Sequence, residues 1–213
     1  MDLQEIAKAV EAGKAKQVKP LVQQALEEGM DVQDILNNGL ISAMGVVGDK
    51  FKNNQIFVPE MLMAARAMSA GVSILEPLMK QSGVKTIGTV VIGTVSGDLH
   101  DIGKNLVSMM MQGIGATIYD LGVDVPAEKF VEKAEEVGAD VVCLSALLTT
   151  TMPAIGEAID AFKKAGVRDK YYIMIGGAPV SQKFADEVGA DAYTSNASDA
   201  ATVAKEYLES KNN

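Results

Sequence analysis

The sequence predicts a chain of two parts, an amino-terminal bundle of four helices and a carboxyl-terminal α/β domain with a five-stranded parallel sheet. Two observations predict this division. Within residues 1–82 the apolar residues recur at spacings of three and four, which is typical of amphipathic helices in a bundle. After Gln81-Ser82-Gly83, short β-branched runs alternate with helical stretches, which indicates a parallel sheet covered on both faces. We therefore predict a helical cap domain over residues 1–83 and an α/β domain over residues 84–213.

The cap is predicted from four apolar stripes and the residues that bound them. Gly13 ends the first helix, Asp31 can cap the third, and Pro59 suits the first turn of the fourth. Pro20 and Pro77 lie inside helical patterns, so the ends of those helices are less well defined. The stripes span residues 3–10, 18–26, 35–51 and 62–79.

The second half is predicted to be a doubly wound sheet of the Rossmann or flavodoxin type. Ligands of such sheets sit at the carboxyl ends of the strands near the switch in strand order, so the loops after strands one, three and four should converge. The predicted strands are 87–92, 116–119, 141–145, 171–175 and 190–193, and the predicted helices are 102–112, 127–137, 153–165, 181–188 and 199–208.

The composition of the chain argues against several classes of protein. With 213 residues and 48% apolar residues the chain can form a proper core, and no run reaches the ~18 uninterrupted apolar residues of a membrane span. The amino terminus lacks an export signal, so we expect a cytoplasmic protein. A net charge of −9 without a basic run argues against nucleic-acid or membrane partners. The single cysteine, Cys143, lies in an apolar run and is expected to be buried and inert.

The only histidine, His100, lies between a predicted strand and a predicted helix. A carboxylate two residues before it, Asp98, could accept a hydrogen bond from one ring nitrogen and leave the other nitrogen facing a ligand, as in many metal sites. General acid or base catalysis is the competing role, and it would need a substrate pocket and a partner nucleophile. A surface or structural histidine is the third interpretation.

Three common motifs of this fold are excluded. The spacing from Gly97 to Gly103 has one residue too many for a phosphate-binding loop. A dinucleotide fingerprint is absent because Ile118 stands where the third glycine would follow Gly113 and Gly115. A phosphoacceptor domain would have an aspartate at the end of strand three, where this chain has Ser145.

The loops after strands three and four are built from small and hydroxyl-bearing residues. Ser145 and Thr149 are expected to face the crevice, whereas Thr151 could simply cap the helix that begins at Pro153. The Gly176-Gly177 pair is either a tight turn or one wall of an open slot that could hold an elongated ligand group. A one-histidine metal site needs further ligands, so the simplest ligand is a macrocycle that carries its own metal.

Three motifs in this half resemble the Asp-x-His-x-x-Gly, Ser-x-Leu and Gly-Gly signature of cobalamin-binding methyltransferase domains. They are Gly97-Asp98-Leu99-His100-Asp101-Ile102-Gly103, Ser145-Ala146-Leu147 and Gly176-Gly177. The helical half, including Phe57-Val58-Pro59-Glu60-Met61, looks like the cap of cobalamin-dependent methionine synthase and of the small corrinoid proteins of methylamine, methanol and methoxyl methyltransferase systems. The resemblance covers nearly the whole chain.

The resemblance implies cobalamin or a related corrinoid, bound base-off with His100 as the lower ligand of the cobalt. It implies that Asp98 holds the other ring nitrogen and that Thr151 extends the hydrogen-bond relay, which takes up a proton when His100 leaves the cobalt. Phe57 and Met61 would cover the methyl group, or belong to the ordinary bundle core. The remaining implied cofactor contacts are Asp101, Ile102, Gly103, Ser145, Leu147, Thr149, Gly176 and Gly177.

The implied function is that of a methyl carrier, a subunit of a methyltransferase system that is not a complete enzyme by itself. Its implied partners are a substrate-specific methyltransferase, an acceptor methyltransferase and a corrinoid reductive activase, and the stretch 81–84 is a hinge candidate. Two alternatives stay open. A cobalamin-dependent sensory module should carry an output domain, which we do not expect within this sequence, and a cobalt-free binding domain would use His100 only structurally.

Overall fold

The computed structural model of the protein describes residues 2–82 and 86–212. The backbone forms two compact units, one of Met1–Thr86 with Gln112–Gly115 and one of Ile87–Met111 with Ala116–Asn213. The predicted domain boundary and the hinge candidate fall on Gly83 and Val84, which lie outside the described residues.

The helical unit contains the four helical rods that the sequence predicts for residues 2–82. Its elements are α1 (Leu3–Glu11), α2 (Ala15–Glu27), α3 (Val32–Asp34), a π-helical segment (Ile35–Ile41), α4 (Ser42–Lys52) and α5 (Val58–Ser82). The third rod is continuous from α3 through the π-helical segment to α4. Asp31 caps it as predicted, because its carboxylate accepts hydrogen bonds from the N–H groups of Gln33 and Asp34. Pro20 and Pro77 both lie within helices that continue past them.

The longest helix, α5, packs closely in this unit. At Gly71 a Cβ atom would lie 2.8 Å from a methyl carbon of Leu40 and 3.0 Å from one of Val18, so the missing side chain allows the close approach. The segment Val58–Met79 is long and apolar enough to cross a membrane by length and composition alone, and 39% of its most apolar window is buried. A core helix passes the same test, and the fully buried Met61 and Leu75 are typical of one.

The α/β unit has the predicted doubly wound architecture. Its five described strands are all parallel in the order β2-β1-β3-β4-β5, and the order reverses between β1 and β3. The elements are β1 (Thr89–Thr94), α6 (Ile102–Gly113), β2 (Thr117–Asp120), α7 (Ala127–Val137), β3 (Val141–Ser145), α8 (Met152–Lys164), a 3-10 turn (Arg168–Lys170), β4 (Tyr172–Gly176), α9 (Gln182–Val188), β5 (Ala192–Tyr193) and α10 (Ala197–Asn212).

The strand register aligns the ends of β1, β3 and β4, so the three loops that follow these strands begin side by side. Thr94 at the end of β1 pairs with Ser145 at the end of β3, which in turn pairs with Gly176 at the end of β4. The loops after these strands therefore leave the same edge of the sheet, beside the reversal in strand order where doubly wound folds bind their ligands. Cys143 in β3 is buried as expected, with its sulfur 3.9 Å from that of Met111, and burial raises the pKa of the thiol to about 12, which favours the unreactive neutral form.

Candidate functional site

The centre of the site is the fully buried carboxylate of Asp98, in the loop between β1 and α6. Its Oδ1 accepts hydrogen bonds from the main-chain N–H and the ring Nδ1 of His100, at 3.0 and 2.8 Å. Its Oδ2 accepts hydrogen bonds from the loop after β3: the N–H of Leu147 at 2.7 Å, the N–H of Leu148 at 3.3 Å and the hydroxyl of Thr151 at 2.6 Å. One carboxylate thus joins the two loops that flank the reversal in strand order.

These donors decide the charge of Asp98. Burial by itself would raise the pKa of the carboxyl, but the hydrogen bonds from Thr151, Leu147 and His100 outweigh burial and hold the pKa well below its usual range. The group is therefore ionised at neutral pH and can only accept hydrogen bonds. The proton of the contact with His100 must then be on Nδ1, and in the neutral imidazole the lone pair is on Nε2.

The other side of the His100 ring is open. The side chain is 50% exposed, and no group among residues 2–82 and 86–212 makes a hydrogen bond to Nε2. A ring fixed through one nitrogen and free at the other is the arrangement of a metal-bound imidazole. The described part of the chain holds no group of three or more metal-ligating side chains, so a metal at Nε2 would have to bring its remaining ligands with it.

Four exposed apolar side chains lie on the two loops that Asp98 joins. Leu99 and Ile102 are 71% and 75% exposed and flank His100 in the sequence, and Leu147 and Leu148 are also exposed. We call these four residues the apolar rim. Clustered apolar exposure of this kind is typical of a binding surface, and around a single imidazole it suits a broad, largely apolar ring that carries a metal.

At Gly177 the loop after β4 packs directly against the loop after β3, and the open slot predicted there stays a prediction. The N–H of Ala146 donates to the carbonyl oxygen of Gly176, and a Cβ atom at Gly177 would overlap the carbonyl oxygen of Ala146. The φ of +131° at Gly177 is also one that L-residues rarely adopt. Ser145 lies partly buried at the end of β3 and Thr149 is exposed in the next turn. Two backbone segments therefore meet here without an intervening side chain.

Replacing Gly177 by alanine is expected to lower the free energy of unfolding by about 2–4 kcal/mol, because the loop after β4 must move away from Ala146. The measurement is urea unfolding followed by circular dichroism. Gly103→Ala is the matched control, since a Cβ at Gly103 meets nothing within 4 Å and alanine favours the helix α6. Equal stability of the two variants would contradict the role given to Gly177.

The remaining predicted residues lie in different surroundings. Asp101 and Gly103 are exposed beside His100, and the Asp101 carboxylate accepts a hydrogen bond from the side-chain amide of Asn105. In the helical unit, Phe57 is exposed and Met61 is fully buried. The cofactor contacts of Phe57 and Met61 stay predictions.

Two residues that sequence reasoning missed support the loop that carries His100. The hydroxyl of the fully buried Thr94 donates to the carbonyl oxygen of His100 at 2.9 Å. The carboxylate of Asp124 accepts from the N–H of Gly97 at 2.7 Å, and the N–H of Asp124 donates to the carbonyl oxygen of Asp98 at 3.0 Å. A φ of +53° at Asp124 allows both bonds, and no spacing in the sequence signals either residue.

Lys104, in the first turn of α6, forms a buried ion pair with Asp120. Its ammonium group is buried and lies 2.5 Å from the carboxylate of Asp120 at the end of β2 and 2.7 Å from the side-chain oxygen of Asn105. A buried lysine is stable only when paired. The pair therefore ties the first turn of α6 to the end of β2.

The chain is similar to cobalamin-binding domains and to corrinoid proteins of methyltransferase systems. Two models described as B12 binding domain match residues 2–76 and 88–206. A dimethylamine corrinoid protein of Methanosarcina acetivorans is 46% identical over 97% of each chain. A chain of the methanol:cobalamin methyltransferase complex of Methanosarcina barkeri has a TM-score of 0.87 at 35% identity, covering 96% of this chain and 78% of its own. The monomethylamine corrinoid protein of the same organism has a TM-score of 0.55 at 37% identity, covering 95% and 96%.

Proposed function

The chain belongs to the B12-binding corrinoid proteins, and from this premise we propose that it is a methyl carrier that holds its corrinoid base-off on His100. The observation that carries the proposal is the half-exposed imidazole whose Nδ1 is bound to the ionised Asp98 and whose Nε2 is open. The cobalt of the corrinoid, when bound, supplies the nucleophile that accepts a methyl group and later yields it.

The contribution of the chain is to present one nitrogen in a fixed orientation. Asp98 fixes the tautomer and the direction of the ring, and Thr151 and the N–H groups of Leu147 and Leu148 fix Asp98. A ring held in this way would present Nε2 in the same orientation with or without a metal, because its hydrogen bonds are made by other atoms. We propose that this allows reversible ligation during each cycle of methyl transfer.

The surroundings of His100 suit the rest of a corrinoid. The apolar rim can contact the macrocycle and keep water from its lower face. We propose that the nucleotide tail lies along the side-chain-free surface of Gly176 and Gly177, and the open space at Gly103 leaves room for it past the start of α6. The proposed contacts thus use both loops that meet at Asp98 and the loop after β4.

The proposed partners are methyltransferases on either side of the carrier and a reductive activase. A likeness to a chain of a methanol:cobalamin methyltransferase complex supports docking to a donor methyltransferase. Relatives named for dimethylamine, monomethylamine and methanol share this architecture, which supports a choice of donor made by the partner. The greater identity to a dimethylamine corrinoid protein makes a dimethylamine methyltransferase the first partner to assay.

The axial ligand can be identified directly, because the chain has a single histidine. The protein is produced with ¹⁵N-histidine, loaded with cob(II)alamin and examined by electron paramagnetic resonance. If His100 is the ligand, the nitrogen splitting of the unlabelled protein changes from triplets to doublets. Triplets that persist after labelling would mean that the cofactor's own base remains on the metal, and the base-off proposal would be wrong.

The carrier role needs a separate assay. The reduced holoprotein is mixed with a dimethylamine methyltransferase and dimethylamine that carries an isotopic label in its methyl groups, and the label on the re-isolated holoprotein is counted. We expect label on the protein, and we expect its loss when an acceptor methyltransferase is added. A holoprotein that stays unlabelled with methylamine and methanol systems alike would favour a sensory module instead.

A further inference from the structure

We propose that Thr94 is a positioning residue for His100, an inference that rests on the proposed function. Thr94 is the last residue of β1 and is fully buried, and its hydroxyl donates a 2.9 Å hydrogen bond to the main-chain carbonyl oxygen of His100. The contact joins a strand of the sheet directly to the residue that would ligate the cobalt.

The contact completes the support of His100. This residue has four polar atoms, and Asp98 Oδ1 accepts hydrogen bonds from its main-chain N–H and from its ring Nδ1. Thr94 binds its carbonyl oxygen, so Nε2 is the atom that remains for a ligand. Asp98 alone would hold His100 from one side, whereas Asp98 and Thr94 together hold it at both ends of its main chain.

Thr94 can act as an anchor because it is itself fixed. Its N–H donates to the carbonyl oxygen of Gly122 at 2.9 Å, and its carbonyl oxygen accepts from the N–H of Val125 at 3.0 Å. The N–H of the next residue, Val95, donates to the carbonyl oxygen of Ser145. The backbone of Thr94 is therefore hydrogen-bonded on two sides, which fixes its hydroxyl relative to the sheet. The hydrogen bond from this hydroxyl in turn fixes the carbonyl of His100.

The loop between Thr94 and His100 explains why such an anchor is needed. Residues 96 and 97 are exposed, and Gly97 has a φ of +79°. Asp98 and Gly97 tie this loop to the loop after β3 and to Asp124, and Thr94 adds the bond that fixes the His100 carbonyl against the end of β1. Without the hydroxyl of Thr94, the carbonyl of His100 is free to turn toward water, and the ring then samples orientations in which Nε2 no longer meets the metal.

The test compares Thr94→Val, which keeps the branched shape but loses the hydroxyl, with Thr94→Ser, which keeps the hydroxyl. Both are loaded with cob(II)alamin after ¹⁵N-histidine labelling, and the fraction of the metal that shows doublet splitting is measured with the affinity for cob(II)alamin. We expect the valine variant to lose about tenfold in the ratio of ligated to unligated metal, the effect of one hydrogen bond. We expect the serine variant to resemble the wild type.

The outcomes separate this inference from the proposed function. A valine variant with wild-type ligation and affinity would overturn the role of Thr94 while leaving His100 as the ligand. A wild-type protein without doublet splitting would overturn the proposed function itself. A purely structural role would lower the melting temperature of Thr94→Val without changing the ligated fraction of the folded protein, which also overturns the inference. Thr94→Ala is the second variant, and it must show the same loss if the valine side chain prevents folding.

Discussion

Replacing His100 by alanine is expected to remove the nitrogen splitting from the cob(II)alamin-loaded protein and to slow methyl transfer at least about a hundredfold. The proposed ligand is lost, while Asp98 keeps the main-chain N–H of residue 100 and all three donors of the loop after β3. The half-exposed side chain contributes little packing, but its ring hydrogen bond to the Asp98 carboxylate is lost, so the free energy of unfolding without corrinoid should fall by about 1–2 kcal/mol.

The spectrum and the stability must be measured together for this variant. Circular dichroism and urea unfolding of the corrinoid-free protein provide the control, because a native-like spectrum and a cooperative unfolding curve show that the variant is folded and assign the spectral change to the missing imidazole. A variant with the same absorption spectrum, the same splitting and the same affinity for cob(II)alamin as the wild type would remove His100 from the proposed mechanism. In that case the imidazole would be a structural residue.

Asp98→Asn is expected to lower the free energy of unfolding by about 2–4 kcal/mol at neutral pH. The carboxylate accepts hydrogen bonds from five donor groups, whereas an amide has one acceptor oxygen and its NH₂ group would face donors on the other side. Buried donors are therefore left without an acceptor. Corrinoid affinity should fall as well, because the ring of His100 loses the group that orients it.

The matched control for Asp98→Asn is Asp124→Asn. The side chain of Asp124 is exposed and its Oδ1 accepts from the N–H of Gly97, so an asparagine can keep that bond through its remaining oxygen. We expect a loss of less than about 1 kcal/mol for the control in urea unfolding at pH 7. Equal losses in the two variants would contradict the special importance of the Asp98 carboxylate.

The pH dependence of the Asp98 effect has a defined sign. Because the folded protein holds the pKa of this carboxyl well below its usual range, its contribution to stability is complete above the unfolded pKa of about 4. The contribution falls as the pH drops from there toward the lowered pKa of the folded state. The stability difference between wild type and Asp98→Asn should therefore shrink between about pH 5 and pH 2, and a difference that grows in acid would contradict the assignment.

The elements that follow simple periodicity could be predicted from the sequence. The bounds of β3 and α7 agree with the prediction, and the loops that carry Asp98, His100 and Thr151 meet as the strand order requires. The ends of β1 and β2 are displaced by one or two residues, because strand ends depend on pairing with a neighbour as well as on the apolar run.

Long-range polar contacts could not be predicted in this way. Thr94 looks like an ordinary β-branched strand residue, and Asp124 looks like a turn residue, because a hydrogen bond to a main-chain atom in another loop leaves no periodic pattern. Lys104 would be expected at the surface, and its burial depends on Asp120, which is distant in sequence. The π-helical segment is equally invisible, since it depends on how the rod packs.

The apolar rim has a consequence for the protein before it meets its cofactor. Leu99 and Ile102 are each more than 70% exposed, next to two further leucines. In newly synthesised chains without the cofactor, the apolar rim is exposed to solvent, and exposed apolar patches of this kind promote aggregation. If the corrinoid covers the apolar rim as proposed, it binds only the folded state and shifts the folding equilibrium toward that state. We therefore expect the supply of corrinoid during synthesis to affect the yield of folded protein as well as the fraction of it that carries the cofactor.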